Sequence, residues 1–286
     1  MQEVTLASLL ELERIEDALF RGQSWDLGFR ALFGGQVMGQ ALTAAQKTLP
    51  EGRITHSFHS YFLLPGDANS PVLYDVETMR DGRSFSTRRV KAIQHGKTIF
   101  YLTASFQQPE IGLSHQFAEL PKVPAPEEIG SDLAFFEDSL DQISERMREA
   151  IVYHKPLDIR TVQTIDPRKP VKSEPKRYIW MRAREIISGG VNLNQAMLAY
   201  ASDYHFLATS LQPHGISVRN QQLRMATIDH AMWFHHPFQF DEWLLYSTES
   251  PFSGGARGLV RGQFFNQNGL LVASTMQEGL MRKVEN

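Results

Sequence analysis

VNLNQAMLAYASDYHFLATSL, residues Val191 to Leu211, is the stretch on which the reading of this chain turns. Leu193, Met197, Tyr200, Tyr204, Leu207 and Leu211 recur at the three-to-four spacing of a buried helical stripe. Leu198, Ala199, Ala201 and Phe206 leave most of the remaining surface apolar or small. The spacing predicts one long helix over 191–211, central in the molecule and wrapped by other structure. Asp203 breaks that pattern. It is the only acidic residue between Ile186 and Ile228, with no basic partner three or four positions away. Burying it costs roughly several kcal/mol unless hydrogen-bond donors meet it. Either Asp203 points to water, or it is a carboxylate held in place for chemistry.

A second stretch behaves alike. Gly34-Gly35 opens a predicted helix over Gln36 to Leu49, again small and apolar and without an acid, ended by Pro50. Unpaired N–H groups at such a helix start can bind an anion or a developing oxyanion, and a tight turn needing glycine is the plainer reading. Four strand-like runs follow, 54–63, 71–80, 84–94 and 98–107, separated by Pro65-Gly66, Asp81-Gly82 and His95-Gly96. Such spacing predicts an antiparallel sheet. Residues 113–130 are Pro-rich and read as a linker, and 131–151 as a charged amphipathic helix. Strands are expected over 156–164 and 177–184, then, after the central helix, near 223–234, 242–250, 256–266 and 270–281. The implied organisation is an N-terminal repeat over 1–112, a linker with its charged helix over 113–155, and a C-terminal repeat over 156–286.

The two halves resemble each other. THSFHSYFLLP at 55–65 lines up with TIDHAMWFHHP at 227–237. At the same offset Tyr74 and Glu77 meet Tyr246 and Glu249, and Arg89 meets Arg261; one residue later, Gln94-His95-Gly96 meets Gln267-Asn268-Gly269. An ordered series of this kind predicts a duplication, each copy a central helix with an antiparallel sheet.

Composition narrows the function. The chain has 286 residues, 42% hydrophobic and 21% charged, with net charge −3 and pI about 6.4, so nucleic-acid binding is not expected. No apolar run is long enough for a transmembrane helix, the N-terminus lacks a basic signal region, and a cytoplasmic location without membrane association is expected. Cysteine is absent, which removes a cysteine nucleophile and thiolate metal sites. Neither G-x-S-x-G nor G-x-G-x-x-G occurs. His56 and His59 stand three apart on one predicted strand, and His235-His236 and Asp229-His230 are adjacent, so none of these pairs shares a face for a metal. They read as hydrogen-bonded structural residues, and no metal or cofactor is expected.

Several segments then resemble bacterial acyl-CoA thioesterase II: LFRGQ (19–23), FGGQVMGQA (33–41), HSFHSYFLLPG (56–66), QPHG (212–215), ATIDHAMWFH (226–235) and STMQEGLMR (274–282). The resemblance runs from about Leu9 to Arg282. It implies an α+β double hot-dog fold, hydrolysis of acyl-CoA thioesters without metal or organic cofactor, and a homo-oligomer, dimer or tetramer. It also implies three catalytic residues, at positions matching Asp203, Thr227 and Gln277. With no serine elbow and no cysteine, water is the natural attacking group. Asp203 would act as its general base, and Thr227 and Gln277 would orient it or support the oxyanion. In the first half, Thr55 aligns with Thr227, but Ala104 falls at the place of Gln277 and the first helix has no acid. One site per chain is therefore expected, built on the second half. Met197, Met232, Trp233 and Phe234 are candidates for an acyl channel, with core packing the alternative, and Arg168, Lys169 and Lys172 for the CoA phosphates, with a solvated loop the alternative. Two other functions are considered. A hot-dog acyl-CoA hydratase pairs an Asp with a His along a loop and helix, a separation that Asp203-Tyr204-His205 lacks. A non-catalytic acyl-CoA binding module gains nothing from burying an uncompensated carboxylate.

Overall fold

A computed structural model describes residues 5–28, 31–132, 156–163, 166, 169–218, 220 and 222–284. From 133 onward the charged helix read over 131–151 lies outside the described residues, as does Arg168. In the first half α1 (Leu6–Leu10), β1 (Glu13–Glu16) and β2 (Leu19–Gly22) lead into α2 (Gly34–Gln46). Then come β3 (Ile54–Phe62), β4 (Val72–Asp81), β5 (Phe85–Gln94) and β6 (Lys97–Gln107). In the second half β7 (Leu157–Thr161) and β8 (Lys176–Ala183) precede α3 (Val191–Ala201). A 3-10 helix (Leu207–His214), β9 (Leu223–Thr227), β10 (Asp229–Phe234), β11 (Leu244–Gly254), β12 (Arg257–Asn266) and β13 (Leu271–Lys283) follow.

The strands form one antiparallel sheet in the order β1-β2-β4-β5-β6-β3-β10-β13-β12-β11-β8-β7, with β9 alongside β13. Read from its two ends inward, the order is the same in both halves. Every strand of the first has its counterpart in the second, and β3 meets β10 in the middle. The register there is that of a pseudo-two-fold axis. Asp229 pairs with Tyr61 and Trp233 with Ser57, while Asp229 and Trp233 are the sequence images of Ser57 and Tyr61. The axis passes between His59 and Ala231. The repeated residues found in the sequence do matching work. Glu77 pairs with Arg89 across β4 and β5, and Glu249 with Arg261 across β11 and β12. Tyr74 and Tyr246 are fully buried, their hydroxyls donating to Gln40 and to the Ser202 carbonyl.

The curved sheet wraps α2 and α3, which are buried along most of their length. Small residues set how closely the two helices approach. A Cβ on Gly35 would stand 2.2 Å from the Tyr200 carbonyl oxygen, and one on Gly39 would stand 3.0 Å from that of Ala196. These contacts place the start of α2 against the end of α3. The Pro-rich segment has no regular structure over residues 108–125 but is docked on the second half: the Gln116 amide donates to the Gly269 carbonyl, and the Trp180 indole to that of Pro124.

The central stretch 191–211 is not one helix. α3 stops at Ala201, residues 202–206 form a turn, and the 3-10 helix resumes at Leu207. The Ser202 hydroxyl folds back on the Ala199 carbonyl at 2.8 Å, and His205 takes a left-handed backbone with φ of 58°, which no α-helix accommodates. The apolar spacing continued because Leu207 and Leu211 are buried by the 3-10 helix instead.

Candidate functional site

The end of α3 is what presents Asp203. Released into the turn, its side chain meets the first residues of α2, where Gly34 and Gly35 leave room. A Cβ on Gly34 would lie 2.7 Å from Asp203 Oδ2. The Gly35 N–H, one of the unpaired donors at a helix start, donates to Asp203 Oδ2 at 3.1 Å. The Thr227 hydroxyl and the Gln277 amide lie beside this carboxyl and favour its charged form. Gln277 Nε2 donates to Thr227 Oγ1 at 3.0 Å. All three residues named from sequence therefore converge, and Asp203 is only partly exposed to solvent. All three lie in the second half, as expected, and a further donor to Asp203, the Gly35 N–H, comes from the first half.

Asp203 keeps partial solvent access, yet its carboxyl is packed deeply enough that lost hydration raises its pKa from 3.8 to about 6. The donors from Gly35, Gln277 and Thr227 pull the other way and lose. Around it, Phe33 packs against Tyr200 and Tyr204, whose hydroxyls lie 3.2 Å apart. Burial pushes Tyr204 up to about 12, so it stays neutral beside the carboxylate.

A β-bulge puts the strand residues in place. Thr227 and His230 are three apart, a spacing that sends side chains to opposite faces of a regular strand. The chain breaks between β9 and β10 at Ile228, whose N–H donates to the Glu278 carbonyl, and both side chains turn inward. Thr227 pairs with Gly279 on β13, two residues from Gln277 on the same face. His230, fully buried, lies with Nδ1 2.7 Å from Gln277 Oε1 and Nε2 3.0 Å from Ser202 Oγ. Burial lowers its pKa to about 4. Sequence reading missed Gly35 and Ser202 as members of this cluster. The Gly34-Gly35 helix start was a visible signal, but its partner lies 168 positions away.

The first half has a different set at the mirrored positions. Gln46 stands as far past the start of α2 as Asp203 does past the start of α3, and its amide donates to Thr55 at 3.0 Å. Ala104 faces Arg88 where Gln277 faces Val260. The buried Arg88 guanidinium reaches Thr48 and Asp81. No carboxylate occupies the mirrored place.

The proposed channel residues separate. Met197, Met232 and Phe234 are buried in the main core, while Trp233 sits on the other face of β10, edge-on to His59. Lys169 lines a cleft of about 390 Å³ together with Asp166, Glu174 and Lys176. Lys172 and Lys283 flank a second, of about 250 Å³, floored by Leu211, Ile216 and Met281. Neither cleft is lined by Asp203, Thr227 or Gln277. Among the described residues no cluster of side chains suits a metal ion, and no helix is long and apolar enough to cross a membrane.

Two helices clasped in one sheet by a pseudo-two-fold define the double hot-dog class, and comparison with known proteins places the chain within it. Residues 149–280 match the family model for acyl-CoA thioesterase, and residues 22–107 the model for the acyl-CoA thioesterase N-terminal domain. The chain is 45% identical over 277 residues to acyl-CoA thioesterase 2 of Haemophilus influenzae, covering 97% of this chain and 96% of that protein. It is 41% identical to human acyl-coenzyme A thioesterase 8, covering 99% and 90%. Among solved structures, the acyl-CoA thioesterase II TesB2 of Mycobacterium marinum superposes with a TM-score of 0.78 at 38% identity, over 96% of this chain and 97% of that one. A hot-dog protein of Alicyclobacillus acidocaldarius, 19% identical with a TM-score of 0.75 over 97% of both chains, shares the fold. The chain belongs to the acyl-CoA thioesterase II family and is an acyl-CoA thioester hydrolase.

Proposed function

We propose that Asp203 is the general base of this hydrolysis, assisted by Thr227 and Gln277, with one active site per chain. The observation that carries this reading is a carboxyl held by the Gly35 N–H of the first half beside the paired Thr227 and Gln277 side chains, with a pKa of about 6, close to neutral pH. Asp203 takes a proton from water, and the water oxygen bonds to the thioester carbonyl carbon. The carbon–sulfur bond of the tetrahedral intermediate then breaks, the electron pair leaves with CoA sulfur, and the proton held on Asp203 neutralises the thiolate. Thr227 fixes the water's second position, and the Gln277 NH2 orients it or supports the oxyanion. Release of free CoA from palmitoyl-CoA, followed with a thiol reagent, tests this. The cysteine-free protein gives no background. Asp203→Asn is expected to abolish turnover. Residual activity near half the wild-type rate would point to two sites per chain and defeat the proposal.

The CoA phosphates are assigned to the Lys172–Lys283 cleft. Met281 in its floor shares β13 with Gln277, at a distance of roughly 13 Å along an extended strand. Reversing both charges should raise KM with little change in kcat, and an unchanged KM would remove the assignment. A cytoplasmic location and assembly as a dimer or tetramer are part of the same reading. Light scattering that returns the mass of one chain would exclude the oligomer.

A further inference from the structure

We infer that His230 is a positioning residue: protonated on Nδ1 alone, it holds the Gln277 amide so that the NH2 end faces Thr227 and Asp203. The inference rests on the reading of Asp203 as base.

Proton accounting fixes the direction of the network. An ionised Asp203 only accepts; it takes the Gly35 N–H, and the Thr227 hydroxyl and the Gln277 amide beside it favour its charged form as donors. With its own proton on Asp203, Thr227 must accept at Oγ1, and the atom 3.0 Å away is Gln277 Nε2. The other end of the amide is then its carbonyl, 2.7 Å from His230 Nδ1, and it needs a donor. A neutral imidazole has a single N–H. That N–H lies on Nδ1, leaving Nε2 as an acceptor, 3.0 Å from Ser202 Oγ, that shares the Ser202 hydroxyl proton with the Ala199 carbonyl in a three-centre bond. Donation thus runs from Ser202 to His230, to Gln277, to Asp203.

The opposite tautomer reverses this. With the proton on Nε2, that nitrogen donates to Ser202 Oγ, whose hydroxyl turns wholly to the Ala199 carbonyl at 2.8 Å. Nδ1 then offers a lone pair, the amide turns over, and the Gln277 carbonyl faces the Asp203 carboxylate. The site loses its amide donor. The tautomer of a fully buried histidine thereby decides whether Gln277 serves as a donor. Burial keeps the ring singly protonated at neutral pH, with its pKa near 4. The first half supplies an internal comparison: the image of His230 is Phe58, fully buried beside Ala104, where there is no amide to orient.

Two substitutions separate orientation from packing. His230→Phe copies the residue that the fold carries at Phe58 and removes the donor. His230→Asn restores an N–H where Nδ1–H stood. His230→Phe should lower kcat about 100-fold, the scale of losing one positioned donor, with KM little changed. His230→Asn should recover most of that loss, with both variants unfolding near the wild-type temperature. Nitrogen-edited NMR of the wild-type protein should find the His230 proton on Nδ1. Equal kcat in both variants, whether near wild type or equally reduced, would overturn the inference, as would a proton on Nε2. The NMR measurement needs no variant, so misfolding of His230→Phe leaves the test intact. Turnover that survives Asp203→Asn would instead defeat the base assignment, a separate outcome.

Discussion

Removing the Thr227 hydroxyl should move the pH dependence of turnover in a direction that the site dictates. Desolvation lifts the Asp203 carboxyl from 3.8 to about 6, a shift of about 2 units, or about 3 kcal/mol against the charged form. Three donors oppose that lift, and Thr227 is one of them. A hydrogen bond to a charged group contributes roughly 1.5–3 kcal/mol, about one to two pKa units. Thr227→Val keeps the branched shape and deletes the donor, so the Asp203 pKa should rise to roughly 7 or above. The base acts only when ionised. The wild-type kcat/KM should therefore rise with pH through about 6 and flatten above it, and the variant's rise should come later, with a lower plateau. Thiol release measured across this range at constant ionic strength gives both curves. A wild-type acid limb near 3.8, or a variant limb that moves to lower pH, would refute the reasoning. Stability runs the other way. The folded-state pKa exceeds the unfolded one, so the native protein holds the extra proton between about 4 and 6. The stability this contributes is present below that window and lost as pH rises through it. About 3 kcal/mol is an upper bound, because Asp203 is partly solvated.

Two further substitutions test how the halves share the work. Gly35→Ala puts a Cβ 2.2 Å from the Tyr200 carbonyl oxygen, so α2 must move. A loss of about 2–3 kcal/mol in chemical denaturation is expected, with reduced kcat as the Gly35 N–H leaves Asp203, and an undisturbed kcat would dismiss Gly35 from the site. Arg88→Met deletes a buried guanidinium that satisfies Thr48 and Asp81 in the first half. It should cost about 2 kcal/mol in stability while kcat stays at the wild-type value, and a drop in kcat at saturating substrate would contradict a single site in the other half.

The match between sequence and structure depends on how local each signal is. The duplication was legible because Thr55/Thr227, Tyr74/Tyr246 and the Glu77–Arg89 and Glu249–Arg261 pairs are constrained within each half by strand register. α3 is shorter than its apolar spacing predicts, ending at Ala201. Apolar spacing records burial, and Leu207 and Leu211 are buried equally well by a 3-10 segment after a turn. The bulge at Ile228, which turns Thr227 and His230 to one face, leaves no periodic trace.

By itself the sequence determined that two helix-and-sheet copies exist and that only the second carries an acid in its central stretch. Tertiary structure decided that the cluster around Asp203 takes one of its donors from the first copy. The pseudo-two-fold lays the start of each central helix against the end of the other, and Gly35 and Gly39 let the backbones come close enough for an N–H of the first half to reach Asp203. That contact depends on packing between segments far apart in the chain, and no spacing within either segment encodes it.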